Sequence, residues 1–559
     1  MKENIKKTAA AVLSVIMAIT MMASCGGASN DHMKSGKKGA ETEATTNGAI
    51  SGSIRPEDTN DTKDDGGMYY TEEAEAIADM DINTEEYNYY AENAFLSVAE
   101  NPLSTFSTDV DTASFTNVRR MIDNSQAIEP NAVRTEEFIN YFKYNYEYPD
   151  GDDKIAINTE LSDCPWNPEA KLMQIGLQAK DVDVTDIDSN IVFLIDVSGS
   201  MADANKLPLV TQAFAMLAEN LGENDRISIV TYAGRDNVEL AGESGANYET
   251  IASTLAGLTA GGSTAGAAGI TTAYELAEQY FIEGGNNRVI LATDGDLNVG
   301  LSTEEELTAL IEEKRDKGVF LSVLGFGMGN YKDNKLEALA DNGNGNYAYI
   351  DSVEEAERVL VTEMSGTMFT VAKDAKIQVE FNPLNVAYYR LVGYENRLLE
   401  DQDFEDDTKD AGDVGAGQQV TALYELILND NNTQSDDSRH TLKYQEDVDY
   451  PSPEKAENDL DKELLTVSVR YKEPDENESK LIDKAVKLAS YVSGDNMSDN
   501  MRLACAAAMF AKTLGNSQEK FTVDEILGYA ENISLDAEEL IRLVRAYGDK
   551  YTYNSNLTD

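Results

Sequence analysis

Ile191 to Met201 reads IVFLIDVSGSM, and its two halves follow different rules. The first five residues are apolar without alternation, the pattern of a strand buried on both faces of a sheet. Asp196, Ser198 and Ser200 then occupy alternate positions at the strand's end. A core strand gains nothing by ending in a carboxylate and two hydroxyls, so these groups are there to hold something.

Outward from this strand, the stretch 189–367 alternates strand and helix. KLPLVTQAFAMLAENLG (206–222) carries apolar residues three and four apart, as an amphipathic helix does. RISIVTYA is a strand, TIASTLAGL a helix, and a further helix starting near Thr264 leads into the strand NRVILAT. Ser302 and Glu305 form a capping box that opens STEEELTALIEEKRDKG. VFLSVLGF and NYAYI follow as strands, with a last helix near VEEAERVLVTEM (353–364). Strands alternating with helices predict an α/β fold with a doubly wound, mostly parallel sheet.

The flanks differ. Residues 89–183 read as an N-terminal α/β flanking region, with helices near 111–123 and 134–143 and antiparallel strands IAINTEL and KLMQIGLQA. The only Trp, Trp166, is most simply an anchor in that core. Residues 370–475 are β-rich, and strands on either side of the central unit join into one sandwich if that unit is an insertion. Residues 476–559 read as a helical region beginning with SKLIDKAVKLASYV. Two acidic loops, DQDFEDDTKDAGDVG and NDNNTQSDDSRH, miss the calcium-loop spacing and read as solvated.

The chain has 559 residues and a net charge of −57 from 45 basic and 102 acidic side chains. Such a surface repels phosphate backbones, so nucleic acid is not an expected partner. Residues 1–24 read as a signal peptide: Lys2, Lys6 and Lys7, then AAAVLSVIMAITMMA, then Ser24 and Cys25. Ala23-Ser24-Cys25 resembles a bacterial lipobox, which implies cleavage before Cys25 and lipid on its thiol. An uncleaved anchor is the alternative. Residues 25–88 are polar and lack apolar periodicity, the composition of a disordered tether. Cys164 and Cys505 remain, too few for a disulfide framework, and Cys505 in ACAAAMF reads as an inert buried thiol. The only two histidines, His32 and His440, lie in polar segments, which argues against His-based triads and zinc sites.

Ligands of a doubly wound sheet sit outside the carboxyl ends of its strands. Two further segments bring matching chemistry there. GGSTAG places Thr264 after two glycines as a helix begins, and LATDGD places Asp294 at the end of NRVILAT. Two carboxylates and three hydroxyls are all hard oxygen donors, a set that selects Mg²⁺, with Mn²⁺ or Ca²⁺ as substitutes.

The pattern D-x-S-x-S with a distant Thr and a distant Asp resembles the metal-ion-dependent adhesion site of von Willebrand factor type A domains. The wider text, including NPLSTFSTDVDTASFTNVRR, DCPWNPEAKLMQIGL, RVILATDGDLNVG and YRLVGYENR, is similar to the bacterial YfbK-like type A lipoproteins. The resemblance implies that Ser198, Ser200 and Thr264 ligate the ion directly, while Asp196 and Asp294 act largely through coordinated water. It also implies a last helix, 353–365, that shifts when ligand binds. Asp203 falls where integrin-type domains carry part of a second metal site, but Ala204 leaves that pattern half missing, so Asp203 reads as exposed or capping.

The function so implied is a lipid-anchored, extracytoplasmic module of the bacterial envelope, at the inner or outer membrane. It captures a protein partner's Asp or Glu through the metal and is not an enzyme. The alternative is an envelope assembly or scaffold protein whose metal site is regulatory or structural. A haloacid-dehalogenase-type phosphotransferase needs a second Asp where Ser198 stands and a Lys at the rim, and none is expected there. VSGSM fails the serine-hydrolase elbow, and GGSTAG lacks the Lys of a phosphate loop.

Overall fold

The computed structural model describes residues 85–551 except 109–110, 183–186, 263–266, 296–303, 329–331, 364–368, 410, 430–460, 475 and 477. In chain order, β1 (Leu96–Ser97), β2 (Leu103–Ser107), α1 (Ala113–Asp123), α2 (Thr135–Asn140), β3 (Ile155–Asp163) and β4 (Lys171–Ala179) come first. Next are β5 (Ser189–Asp196), α3 (Leu207–Glu219), β6 (Arg226–Tyr232), β7 (Asp236–Ser244), α4 (Tyr248–Ala256), α5 (Ala267–Gln279) and β8 (Asn286–Thr293). Then come α6 (Glu304–Asp316), β9 (Val319–Phe326), α7 (Asp333–Asn342), β10 (Tyr347–Ile350) and α8 (Val353–Glu357), which runs into a π-helical turn at Arg358–Thr362. The C-terminal part holds β11 (Thr370–Phe381), β12 (Val386–Val392), β13 (Leu398–Leu399), β14 (Gly412–Gly415), β15 (Gln419–Leu428), β16 (Glu463–Lys472) and β17 (Ser479–Lys487). It closes with α9 (Asp499–Leu514), α10 (Val523–Ala530) and α11 (Glu538–Tyr551).

The central sheet has the order β10-β9-β8-β5-β6-β7, parallel throughout except for the antiparallel edge strand β7. Helices cover both faces, so β5 is buried along its whole length. Its alternate residues feed two cores. Ile191, Phe193 and Ile195 pack with Val210, Phe214 and Leu217 of α3, with Phe193 and Phe214 stacked at 4.1 Å. Val192 and Leu194 pack with Ile270, Ala273 and Tyr274 of α5. Each fully buried side chain of this size stabilises by about 1.5–3 kcal/mol, which is why the five residues Ile191–Ile195 are all apolar.

The flanking strands form a second layered body. One sheet has the order β1-β12-β15-β4-β3, and the other β13-β2-β11-β16-β17, with β14 also on β11. Met173, Ile175 and Leu177 of β4 share one core with Ile377 and Val379 of β11 and Val467 and Val469 of β16, so the two sheets face each other. Strands from before and after the central unit pair in both sheets, β4 with β15 and β2 with β11. The doubly wound unit is therefore an insertion into a sandwich, leaving after β4 and returning at β11. The outer face of the first sheet, through Leu172 and Leu423, packs on α1, α2 and the C-terminal helices.

Two expectations are corrected. SKLIDKAVK is not the start of the helical region 476–559 but strand β17, antiparallel to β16 from Ser479↔Lys472 to Lys487↔Glu463. Its apolar spacing suits helix or strand, and the unpaired edge of β16 decides. Lys480, Lys484 and Lys487 are exposed on this edge strand, where charge discourages further pairing. The acidic loop 401–415 is not simply solvated. Buried Lys376 donates to the carbonyls of Asp403 and Asp406 at 3.0 and 2.5 Å, and Lys472 donates to Asp407 O at 2.6 Å. The second acidic loop, after Asn429, lies outside the described residues. Trp166 is a partly buried neighbour of the helical core, 6.3 Å from Phe521.

Candidate metal centre

Parallel pairing in register sets the site. β5 lies between β6 and β8, with Asp196 beside Tyr232 and Ile195 beside Ala292. The strands end together, so Asp196 and Asp294, the residue after Thr293, emerge at the same rim. Both carboxylates are buried, at 0% and 3% exposure. The backbone then turns sharply: Asp196 Oδ1 accepts from the Ser198 N–H at 2.8 Å, and Val197 N donates to Tyr232 O at 3.1 Å. That turn brings the Ser198 and Ser200 hydroxyls within 3.0 Å of each other, Ser198 buried and Ser200 exposed.

The glycine loop is stitched to this turn. Gly261 N donates to Val197 O at 2.8 Å, and Gly199 N donates to Gly262 O at 3.1 Å. Gly262 has φ +93°, a conformation that costs a glycine little and other residues a good deal. Thr264 itself, like Cys25, His32, His440, Asp296 and Ser302, lies outside the described residues. The structure thus brings Asp196, Ser198, Ser200 and Asp294 to one rim and anchors the start of the loop that carries Thr264. Asp203 is exposed, at the end of the short 3₁₀ turn Gly199–Ala202.

Sequence reasoning missed two contributors. Tyr232 is fully buried, and burial, followed by the negative charge of Asp196, pushes its phenol well above the ordinary range. It stays a neutral phenol on the strand beside Asp196. The second is Lys206, which overturns the expectation of a rim without lysine. Its Nζ donates to Asp294 Oδ2 at 3.0 Å, and its side chain is only 8% exposed. The stem runs over Gly327, just past β9, where a Cβ would come within 2.3 Å of Lys206 Cε. The only signal in the sequence was a lysine at the start of the helix after the serines. The phosphotransferase reading still lacks its second aspartate, because Ser198 holds that position.

The donor set suits a hard divalent cation. Among the described residues Asp294 Oδ1 is buried with no hydrogen-bond partner, a state that normally costs about 1–3 kcal/mol. Around it stand carboxylate and hydroxyl oxygens, and among the described residues no imidazole or thiolate lies at the rim. Among the described residues no group of three or more His, Cys, Asp or Glu side chains forms a metal cluster, so any ion here relies on hydroxyls as well as carboxylates.

Three family profiles match successive parts of the chain. The profile of the von Willebrand factor type A domain matches residues 190–362, one described as von Willebrand factor matches 81–174, and one described as the C-terminal part of the uncharacterized protein YfbK matches 366–548. The uncharacterized protein YfbK of Escherichia coli (strain K12) is 40% identical over 443 residues, covering 78% of this chain and 75% of that protein. A solved von Willebrand factor type A structure from Catenulispora acidiphila aligns at 14% identity and TM-score 0.40, over 72% of this chain and 91% of that one. The proximal thread matrix protein 1 of the mussel byssus, solved with its adhesion-site motif occupied by zinc, aligns at 23% identity and TM-score 0.26, over 31% of this chain and 44% of that one.

Proposed function

The chain belongs to the family of the E. coli protein YfbK and carries a von Willebrand factor type A domain, and on that premise we propose a metal-dependent protein-binding module of the cell envelope. Type A domains are generally interaction modules rather than enzymes, and they often take a divalent metal. The observation that carries the reading is the rim itself: two buried carboxylates behind two hydroxyls 3.0 Å apart, the outer one exposed.

Ser198, Ser200 and Thr264 would hold the ion through neutral oxygens, with Asp196 and Asp294 balancing its charge from behind. Mg²⁺ is the expected ion, and Mn²⁺ or Ca²⁺ would substitute. When bound, it supplies a Lewis-acidic position at which a partner's Asp or Glu carboxylate can replace water. The chain's own part is to present that position outward. Asp196 fixes the turn through the Ser198 N–H, and the glycine loop is pinned to the same turn. In this reading lipid on Cys25 tethers the module outside the cytoplasm, and residues 25–88 supply reach. No helix among the described residues is long and apolar enough to cross a membrane.

The test is thermal. A ligand that binds only the folded state raises the melting temperature by mass action. Added Mg²⁺ is expected to raise that of the wild type and not that of Asp196→Ala. Equal shifts in both would remove the metal site. A pull-down with and without chelator, comparing wild type with Thr264→Ala, then tests the partner.

A further inference from the structure

Lys206 is placed with a care that solvation does not explain. A lysine is almost never buried without a partner, and this one passes its whole stem over a residue without a side chain to reach one oxygen of Asp294. At Gly327 φ is +77° and the space a Cβ would need is filled by Lys206 Cε, Cδ and Cγ. The start of α3 and the end of β9 therefore cooperate to deliver one positive charge to the rear of the cradle.

That charge changes the arithmetic of the rim. Asp196 and Asp294 alone carry −2; with Lys206 the cradle carries −1. A divalent cation would leave the first combination neutral and the second at +1. We infer that Lys206 is the built-in counter-cation of the metal cradle, a positioning residue that weakens divalent-metal affinity and leaves the loaded rim one positive charge with which to attract a partner's carboxylate. The inference rests on the metal-site reading above. It accounts for the two oxygens of Asp294 being used differently: Oδ2 is taken by Lys206, while Oδ1, buried, has no hydrogen-bond partner among the described residues. It also explains how a strongly acidic protein presents a locally cationic docking point, since like charge would otherwise repel an acidic partner.

The experiment uses the full chain and Mn²⁺ as the probe, followed by electron paramagnetic resonance, with acetate as the carboxylate. Lys206→Met removes the charge, Lys206→Gln keeps a hydrogen-bond donor to Asp294 without it, and Lys206→Arg keeps the charge. Unit charges this close shift binding by large factors even under strong screening. Both neutral variants are expected to bind Mn²⁺ at least about tenfold more tightly than wild type, with Lys206→Arg near wild type. Acetate is expected to displace water from bound Mn²⁺, read as a fall in water-proton relaxation, at several-fold lower concentration in wild type than in Lys206→Gln. Should Lys206→Met fold poorly because Asp294 is left buried and unpaired, Lys206→Gln carries the test. Unchanged or weaker Mn²⁺ affinity in a folded neutral variant would overturn the inference while leaving the metal site standing. No Mn²⁺ binding by the wild type would overturn the metal-site reading itself.

Discussion

Arg119 of α1 holds Asp351, the residue after β10, through two parallel hydrogen bonds: Nε to Oδ2 at 2.8 Å and Nη2 to Oδ1 at 2.5 Å. The pair joins the N-terminal flank to the entry of the last helix of the type A domain. Nη2 also reaches Glu355 of α8 at 2.9 Å, and the Tyr141 hydroxyl donates to the same carboxylate at 3.0 Å. Burial alone would raise the Glu355 carboxyl, but Arg358 and Arg119 outweigh it and hold it below its usual range. The helix that the family resemblance marks as mobile is clamped here by a buried ionic network.

Breaking that clamp leaves Asp351 and Glu355 short of a cation in a site where Arg119 is 9% exposed. Removing one partner of a buried pair costs about 3–5 kcal/mol. Arg119→Met is expected to lower the urea midpoint accordingly. An unchanged midpoint would mean that Arg358 alone neutralises the cluster.

Glu395 supplies a pH prediction. Burial, reinforced by Glu136 and Glu92, pushes its carboxyl up to about 7. An acid whose pKa is higher in the folded state binds a proton that the unfolded chain has released. Its stabilising contribution is present below about 4.5 and is lost as pH rises through 7. Glu395→Gln is therefore expected to raise the melting temperature at pH 8 and to change it little at pH 4.5. A gain of the same size at both values would exclude the carboxyl as the cause.

Arg288 on β8 is 2% exposed, donates to Ser322 Oγ at 2.7 Å and sits 5.5 Å over the ring of Phe320. Among the described residues no carboxylate lies within ion-pairing distance, and burial pulls the guanidinium down to about 10, with Asp413 acting weakly the other way. The cost of burying that charge is present throughout neutral pH and is relieved only as pH rises through 10. Arg288→Met is expected to leave stability at pH 7 unchanged or higher by about 1–3 kcal/mol, because an apolar stem replaces an uncompensated charge. Denaturation curves would show it, and a loss of stability would give the Ser322 bond more weight than it has here.

Cys164 and Cys505 are both free and buried, and burial raises both thiols well above their ordinary range. Neither is expected to react with a maleimide in native buffer without reductant, and both are expected to react once urea unfolds the chain. A blocked pair in urea that opens with reductant would reveal a disulfide.

The order of strands and helices from 189 to 367 was largely legible because hydrophobic periodicity is a property of neighbouring residues. The edge strand β7 and the helix α7 escaped: Asp236–Ser244 is mostly polar, and Asp333–Asn342 follows a glycine-rich loop. β17 was misread because its spacing serves either structure, and the strand β16, ending seven residues before it at Lys472, chose between them. At the rim, Asp196, Ser198, Ser200 and Asp294 announced themselves as polar groups ending apolar strands. Lys206 did not, since a lysine opening a helix is ordinary until its target is known.

By itself, then, the sequence determined that a doubly wound sheet exists and that oxygen donors gather at its carboxyl end, because polarity against a strand's end is local. Only the tertiary structure decided which charges meet. Lys206 and Asp294 lie 88 residues apart, Arg119 and Asp351 lie 232 apart, and β2 pairs with β11 across the whole inserted domain. An ion pair or a strand edge is settled by whichever group arrives within a few ångströms once the cores have packed, and no run of neighbouring residues records that.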